Sequence, residues 1–210
     1  MFEHIGAKLK ELGEIPPIPL LTSWSSFDVP VIARGAPGEI DSSQAVDPHV
    51  MEIDRDYYCY YGAYDGGNFR IALAKSKNLV EWTKHGIVLD TSKLGMERVG
   101  VTTPYVIRVE DEYWMYYHSY DGSHDRACLA TSLDGINWTK CESNPVLDVL
   151  PGAFYSRRID PEVVFYEPEK EVPFKMIFGA YDDAEFKCGY AESREGKIWS
   201  IDPHPVFTKG

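Results

Sequence analysis

The chain has 210 residues, of which 44% are hydrophobic and 26% are charged, and this composition is that of an ordinary globular domain. Its formal net charge of −12 excludes a surface suited to nucleic acid and disfavours binding to anionic membranes. The sequence contains no run of about 18 apolar residues that could span a bilayer.

The first 21 residues are predicted to form a short helix and a linker. Ile5, Leu9 and Leu12 are four and three positions apart, which gives the segment one apolar face, and Gly13 ends it. Charged side chains interrupt residues 1–20, so they contain no signal-peptide core, and we expect a cytoplasmic protein.

The four cysteines agree with that location. None belongs to a C-x-x-C pair, and their positions do not match between the repeats described below. We therefore expect reduced thiols rather than disulfides or a zinc site at Cys59, Cys128, Cys141 and Cys188.

A pattern recurs three times along the rest of the chain. The three copies share a Tyr-Asp pair and a later tryptophan: Tyr64 and Trp82, Tyr120 and Trp138, Tyr181 and Trp199. Either landmark gives a first interval of 56 residues and a second of 61, so the third copy contains a small insertion. Repetition at such a period is typical of a supersecondary unit that buries its apolar face by stacking on its neighbours.

Each copy is predicted to form four short antiparallel strands, which is the blade of a β-propeller. In the first copy, polar turns separate V-M-E-I, Y-Y-C-Y-Y-G-A, F-R-I-A-L-A and a last strand after the tryptophan. We therefore predict an all-β, propeller-type fold in a single domain spanning residues 1–210, with blades at 47–90, 103–149 and 160–208.

Residues 22–33 are predicted to form an outer strand that lacks a blade of its own. This stretch, T-S-W-S-S-F-D-V-P-V-I, resembles W-T-K-C-E-S-N-P-V-L in the second copy. Three blades and one strand do not close a ring, since propellers have about 4–8 blades. Either the chain is a piece of a longer protein or a second copy completes it. We expect a homo-oligomer, because an open ring exposes apolar faces.

The series D-P-H-V, T-P-Y-V and I-D-P, with the tyrosine-rich second strands, resembles the five-bladed propeller glycosidases. The nearest resemblance is to glycoside hydrolase family 43 and to the mannoside phosphorylases of family 130, over roughly residues 24–208. It implies an enzyme that cleaves a glycosidic bond and binds an oligosaccharide. A family 130-like phosphorylase, and a carbohydrate-binding or assembly module without a general acid, are the alternatives. No cofactor is implied; such funnels can hold calcium, but the sequence indicates no metal site.

In a propeller the first strands line the central funnel, so their opening residues should meet there. Asp47, Thr103 and Asp160 open the three first strands, and glycoside cleavage needs two carboxylates in one cleft. By resemblance to family 43, Asp47 is the general base, and Asp160 orients the general acid and raises its pKa. The acid of that family lies one blade later, beyond Gly210. Glu162 is the substitute within this chain, on the same strand face as Asp160.

Further side chains are candidates for contact with substrate: His49, Thr103, Tyr105, His118, Arg158, Tyr64 and Asp65. His118 stands where the other copies have a glycine. The Tyr64-Asp65 pair recurs in every copy, so a structural turn competes with a binding role. Glu97 is a weaker candidate for the acid. A phosphorylase would need a cationic phosphate pocket, for which Arg157, Arg158 and His118 are available.

Overall fold

The structure is a computed structural model that describes residues 28–92 and 95–207. The chain divides into two compact units, Met1–Pro30 and Val31–Gly210, and the description below concerns the second unit. The helix predicted near residues 5–12, and most of the predicted outer strand, lie outside the described residues. Residues 28–33 form bends rather than a strand, and the side chain of Val31 is exposed.

Each predicted repeat contains four strands. The first has β1 (Gln44–Ile53), β2 (Asp56–Tyr64), β3 (Phe69–Ser76) and β4 (Thr83–Leu89). The second has β5 (Gly100–Val109), β6 (Glu112–Tyr120), β7 (Asp125–Ser132) and β8 (Thr139–Lys140), preceded by a short 3₁₀ helix at Gly95–Glu97. The third has β9 (Arg158–Tyr166), β10 (Phe174–Tyr181), β11 (Phe186–Ser193) and β12 (Ser200–Ile201).

The four strands of each repeat pair antiparallel in chain order, as in a propeller blade. Successive blades are joined by single parallel pairs, Phe69 with Gly100 and Asp125 with Arg158. The first strand of the middle blade, β5, lies against β1 and β9, so the three first strands stand side by side. The all-β propeller-type fold is therefore confirmed, and the sheet is not closed into a ring.

Tyrosine and tryptophan residues hold neighbouring blades together. The Tyr60 hydroxyl donates to the carbonyl of Gly135 in the next blade at 2.8 Å, and the Tyr116 hydroxyl donates to Gly196 at 2.8 Å. Trp138 packs edge-on against Tyr60, with ring centroids 5.7 Å apart. Trp199 packs in the same way against Tyr116 at 5.8 Å. Trp138 and Trp199 thus pack the second and third blades onto the blades before them.

The fourth strand of the middle blade is broken, whereas the sequence predicts a continuous one. Only Thr139 and Lys140 pair as β8, and contact resumes at an isolated bridge between Ala127 and Leu147. Between them the Asn144 side chain replaces the backbone: its Oδ1 accepts from the Leu129 amide at 2.8 Å and its Nδ2 donates to the Leu129 carbonyl at 2.9 Å. Pro145 has no amide hydrogen to donate, so the ladder cannot continue there.

Candidate functional site

A cavity of about 580 Å³ opens where β1 and β5 begin. Its aromatic lining includes Phe69, Tyr120 and Tyr181. Polar and charged side chains contributed by all three blades line the rest, namely Gln44, Asp47, Thr102, Thr103, His118, Ser123, Asp125, Arg157, Arg158 and Asp183. The strand entrances therefore converge on one concave surface. This is the arrangement that carbohydrate sites use, with apolar walls and a few placed polar groups.

Asp47 projects into this cavity from a β-bulge. The register of β1 on β2 shifts between Val46 and His49, and the backbone of Asp47 has a φ of 51°. Thr103 has a φ of 48° in the matching bulge of β5. Aspartate tolerates this left-handed region better than most residues. The hydroxyls of Thr102 and Thr103 lie 3.4 and 3.5 Å from Asp47 Oδ2, and the aspartate remains exposed to solvent. A bulge that aims one carboxylate into a cleft is typical of functional strands.

Asp160 does not occupy the same ladder position as Asp47, which corrects the expectation that the three opening residues are equivalent. Asp160 pairs with Gly179, just as Val46 pairs with Gly62 in the first blade. The reason is that the irregularity in β9 falls at Glu162, after Pro161, rather than at the Asp-Pro step itself. Asp160 therefore points inward and is only 6% exposed.

Arg158 and His118 flank the buried Asp160 carboxylate, one on each oxygen. Arg158 donates through Nε to Oδ2, and His118 Nδ1 lies 3.7 Å from Oδ1. Burial raises the pKa of Asp160, whereas His118 and Arg158 oppose that rise.

Glu162 lies on the same face as Asp160, as its spacing predicts. Both carboxylates cover Gly179, where an added Cβ would lie 3.1 Å from Glu162 Oε1 and 3.7 Å from Asp160 Oδ2. Burial raises the pKa of Glu162, and the charges of Asp160 and Asp47 raise it further. The charges of both predicted aspartates therefore act on Glu162.

His118 is held by a residue that the sequence analysis missed. Its Nε2 lies 2.5 Å from Asp125 Oδ1, and its side chain is buried. The pairing register supplies the overlooked signal, because Asp125 pairs with Tyr120 where Phe69 pairs with Tyr64 and Phe186 with Tyr181. The middle blade thus replaces a glycine and an aromatic residue by a contacting histidine and aspartate.

His49 and Tyr105 contact each other outside the residues that line the cavity. Their ring centroids are 4.4 Å apart, and His49 Nε2 donates to the Val106 carbonyl at 2.9 Å. Burial lowers the pKa of His49, which the Val106 carbonyl opposes. This arrangement joins β1 to β5, and the predicted role of both residues in substrate binding stays a prediction.

Tyr64 and Asp65 are engaged in local structure. The Tyr64 ring stacks on Phe69 with centroids 4.5 Å apart. Asp65 accepts the Gly67 amide at 2.8 Å and forms an ion pair with Arg70. Asp121 and Asp182 make the same kind of turn in the other blades. These contacts favour the structural turn over the predicted binding role.

The cations at the cavity have carboxylate partners. Arg158 pairs with Asp160, and Arg157 Nε donates to Asp183 at 2.9 Å. His118 faces Asp125, as described above. Glu97 is committed elsewhere, since it accepts from the Tyr117 hydroxyl at 2.6 Å and pairs with Lys140 while buried. Glu97 is therefore a poor candidate for the general acid.

Residues 28–92 and 95–207 contain no group of three or more His, Cys, Asp or Glu side chains placed to hold a metal ion. No helix within those same ranges is long and apolar enough to cross a membrane.

Comparison with known proteins gives one family match. A model of the "Glycosyl hydrolases family 32 N-terminal domain" matches residues 47–210, which is more than half of the chain. A 1,2-beta-oligomannan phosphorylase of Thermoanaerobacter sp. (strain X514) is 27% identical over 140 residues, which are 65% of this chain and 43% of that protein.

Two solved structures show the same fold at low identity. Fructan 1-exohydrolase IIa from Cichorium intybus superposes with a TM-score of 0.66 at 17% identity and covers 77% of this chain and 32% of that one. Beta-1,2-mannobiose phosphorylase from Listeria innocua gives 0.63 at 14% identity and covers 80% and 47%. This chain therefore spans less than half the length of each of these three proteins.

Proposed function

Since the chain belongs to the family of glycosyl hydrolase family 32 N-terminal domains, we propose that its funnel cleaves glycosidic bonds with the carboxylates of Asp47, Asp160 and Glu162. The observation that carries this proposal is geometric: Asp160 and Glu162 both lie against Gly179 in the third blade, and Asp160 contacts Arg158, which lines the same cavity as Asp47. Paired carboxylates of different proton affinity are what glycoside cleavage uses.

Each carboxylate has an environment that suits a separate role. Asp47 is exposed and lies beside two hydroxyls, so it is free to activate water or to attack the sugar. Burial and the neighbouring carboxylates raise the pKa of Glu162, which suits a proton donor. Asp160 is buried beside Arg158 and orients the site.

Hydrolysis fits the cavity better than phosphorolysis. Phosphate recognition needs cations that are not already neutralised. Arg157 and Arg158 are paired with Asp183 and Asp160, and Asp47 adds negative charge to the same cavity. A phosphorylase is the second candidate, because a 1,2-beta-oligomannan phosphorylase is among the similar proteins.

The expected partner is an oligosaccharide, and the aromatic rings of Phe69 and Tyr181 give its pyranose or furanose faces an apolar surface. We also propose a cytoplasmic location. All four cysteines are free, and burial raises the pKa of Cys59 to about 11 and of Cys128 to about 12. Buried unpaired thiols are usual in a reducing compartment.

The test compares Asp47→Asn with Asp54→Asn. Both aspartates have a φ of 51°, which asparagine accepts, so neither substitution strains the backbone as alanine would. The assay follows reducing sugar released from β-1,2-mannobiose, sucrose and short fructans, with and without inorganic phosphate. We expect Asp47→Asn to lower turnover by about 10²–10⁴-fold, the usual contribution of a general acid or base. Asp54→Asn should match the parent chain.

Three results would change the assignment. Equal turnover by the two variants would remove Asp47 from the reaction. Sugar binding measured by calorimetry, with no product from the parent chain on any substrate, would indicate the non-catalytic binding module instead. Turnover that requires phosphate would identify the phosphorylase.

A further inference from the structure

We propose that His118, held by Asp125, is a positioning residue that keeps the Asp160 carboxylate ionised and oriented at the funnel. The residue would then act through Asp160 rather than on the sugar. The proposal rests on the proposed function for its catalytic meaning, but its structural core can be tested without any activity.

His118 lies between the carboxylates of Asp125 and Asp160. His118 Nε2 lies 2.5 Å from Asp125 Oδ1, and its Nδ1 faces Asp160 Oδ1 at 3.7 Å. These two facing atoms are buried, and neither has a hydrogen-bond partner among the described residues. Burying a histidine between two carboxylates from different strands costs free energy unless the buried groups pair with one another.

The contact between His118 Nδ1 and Asp160 Oδ1 requires a proton on one of the two atoms. If Nδ1 and Asp160 Oδ1 both lacked a proton, two lone pairs would face each other in a buried setting. One proton on either atom turns that repulsion into attraction. Arg158 on Asp160 Oδ2 favours the ionised carboxylate. With Asp160 carrying the negative charge, the proton between the two facing atoms lies on His118 Nδ1.

The middle blade differs from the other two at the positions of His118 and Asp125. Gly62 and Gly179 occupy the position of His118 in the other two blades, and Phe69 and Phe186 occupy that of Asp125. The fold therefore forms this strand pair without either polar residue. A buried histidine and aspartate that the architecture does not require, placed beside a predicted catalytic carboxylate, indicate a local function.

The charged surroundings of His118 are defined by three strands. Asp125 faces it from β7, and Asp160, Arg158 and Glu162 lie on β9. Asp47 reaches the same field from β1. Arg157 and Asp183 line the same cavity, where they pair with each other. Asp125 by itself raises the pKa of Asp160, whereas His118 lowers it. This opposition makes Asp125 the decisive test position.

The experiment follows the Asp160 carboxyl carbon by NMR in protein labelled with ¹³C-aspartate, with the resonance assigned by its loss in Asp160→Asn. The titration midpoint is measured in the parent chain, His118→Gly and Asp125→Asn. Glycine is the residue that the other blades carry, so His118→Gly should fold. His85→Gly, at an exposed strand position, is the matched control.

We expect His118→Gly to move the Asp160 midpoint to higher pH, and added imidazole to reverse the shift by filling the vacated space. Asp125→Asn should also move it to higher pH, because the histidine loses its holder. A downward shift in Asp125→Asn would mean that Asp125 acts only as a nearby charge and would overturn the proposal. An unchanged midpoint in His118→Gly would overturn it as well.

Turnover then separates this proposal from the proposed function. If the parent chain is active, His118→Gly should lower kcat at least about tenfold with little change in KM, and its acidic limb should move to higher pH. Imidazole should restore the rate, which it would not do for a purely structural role. If the parent chain is inactive, the NMR shifts still decide whether His118 positions Asp160.

Discussion

Asp121 shows how one carboxylate fixes a turn of the repeat. Its Oδ1 accepts the amides of Ser123 and His124 at 2.7 and 2.9 Å, and its Oδ2 accepts from Arg126 at 2.7 Å. Burial alone would raise the pKa of Asp121, but Arg126 and the two amides lower it to about 2. The Tyr-Asp pair therefore recurs in all three blades for a structural reason, because its aspartate fixes the turn.

Replacing Asp121 by asparagine should destabilise the protein at neutral pH and lose its effect in acid. The folded pKa lies below the value of about 3.9 in an unfolded chain. The ionic contribution is thus complete above about pH 4 and disappears as pH falls towards 2. In urea unfolding, Asp121→Asn should cost about 1–2 kcal/mol at pH 7. The difference in free energy of unfolding between Asp121→Asn and the parent chain should narrow at pH 3. Asp111→Asn, at an exposed position, is the control and should change this free energy very little. A gap independent of pH would contradict the ionic explanation.

At the level of single residues, comparison of the repeats identified those candidate site residues that differ between the copies or begin a predicted strand. His118 could be identified because it replaces a glycine, and Asp47 because it opens a strand beside proline. Asp125 could not, because the letters H-D-R give no sign that aspartate takes the position of an aromatic residue; only the strand register shows it. The inward position of Asp160 also depends on where the irregularity of β9 falls, which side-chain patterning does not specify.

In each of the first two blades, a buried carboxylate before the first strand contacts a tyrosine of the second strand and a lysine of the fourth strand. In the first blade, Asp41 accepts from the Tyr61 hydroxyl at 3.0 Å and pairs with Lys84 at 2.6 Å. Glu97, Tyr117 and Lys140 repeat the set 56 residues later. Each set joins the second strand and the fourth strand to the segment before the first. In the third blade Phe178 takes the tyrosine position and packs between Phe154 and Tyr155.

Removing the lysine alone should be costly, because it leaves a carboxylate buried without its counter-charge. We expect Lys140→Met to reduce the free energy of unfolding by about 3 kcal/mol. Adding Glu97→Gln to that variant should recover part of the loss, since the unpaired charge is then gone. Lys77→Met, at an exposed lysine 3.9 Å from Asp56, is the control and should change stability by less than about 0.5 kcal/mol. Equal costs for the two lysines would show that the buried pair is dispensable.

Strand prediction succeeded where alternation is strong and failed where side chains replace the ladder. The first three strands of the first blade contain the predicted segments V-M-E-I, Y-Y-C-Y-Y-G-A and F-R-I-A-L-A. The fourth strands are short in the second and third blades, with two residues each in β8 and β12. Asn144 explains the first case, because its amide group mimics a backbone pair with Leu129. Hydrophobic periodicity cannot anticipate such a substitution.

For the whole molecule, the two outermost sheet faces differ. The first blade covers its outer face, where Tyr61, Ala63, Ala72 and Ala74 pack against Ile32, Ile40, Ala45 and Trp82. On the outer face of the third blade, Phe165 is 53% exposed, Phe186 is 71% exposed and Ile177 is half-buried. Exposed apolar side chains on a sheet face favour association.

We therefore predict that the isolated chain self-associates through the outer face of its third blade. Light scattering coupled to size exclusion should give a mass above that of a monomer at micromolar concentration. The double variant Phe165→Lys and Phe186→Lys should return it to a monomer, because charged side chains on an open sheet face oppose pairing. Leu133→Lys is the matched control: Leu133 is 76% exposed but lies in a turn of the second blade, so its replacement should leave the mass unchanged. A monomeric parent chain would mean that this apolar face is stable in water by itself, and that the open sheet needs no second copy.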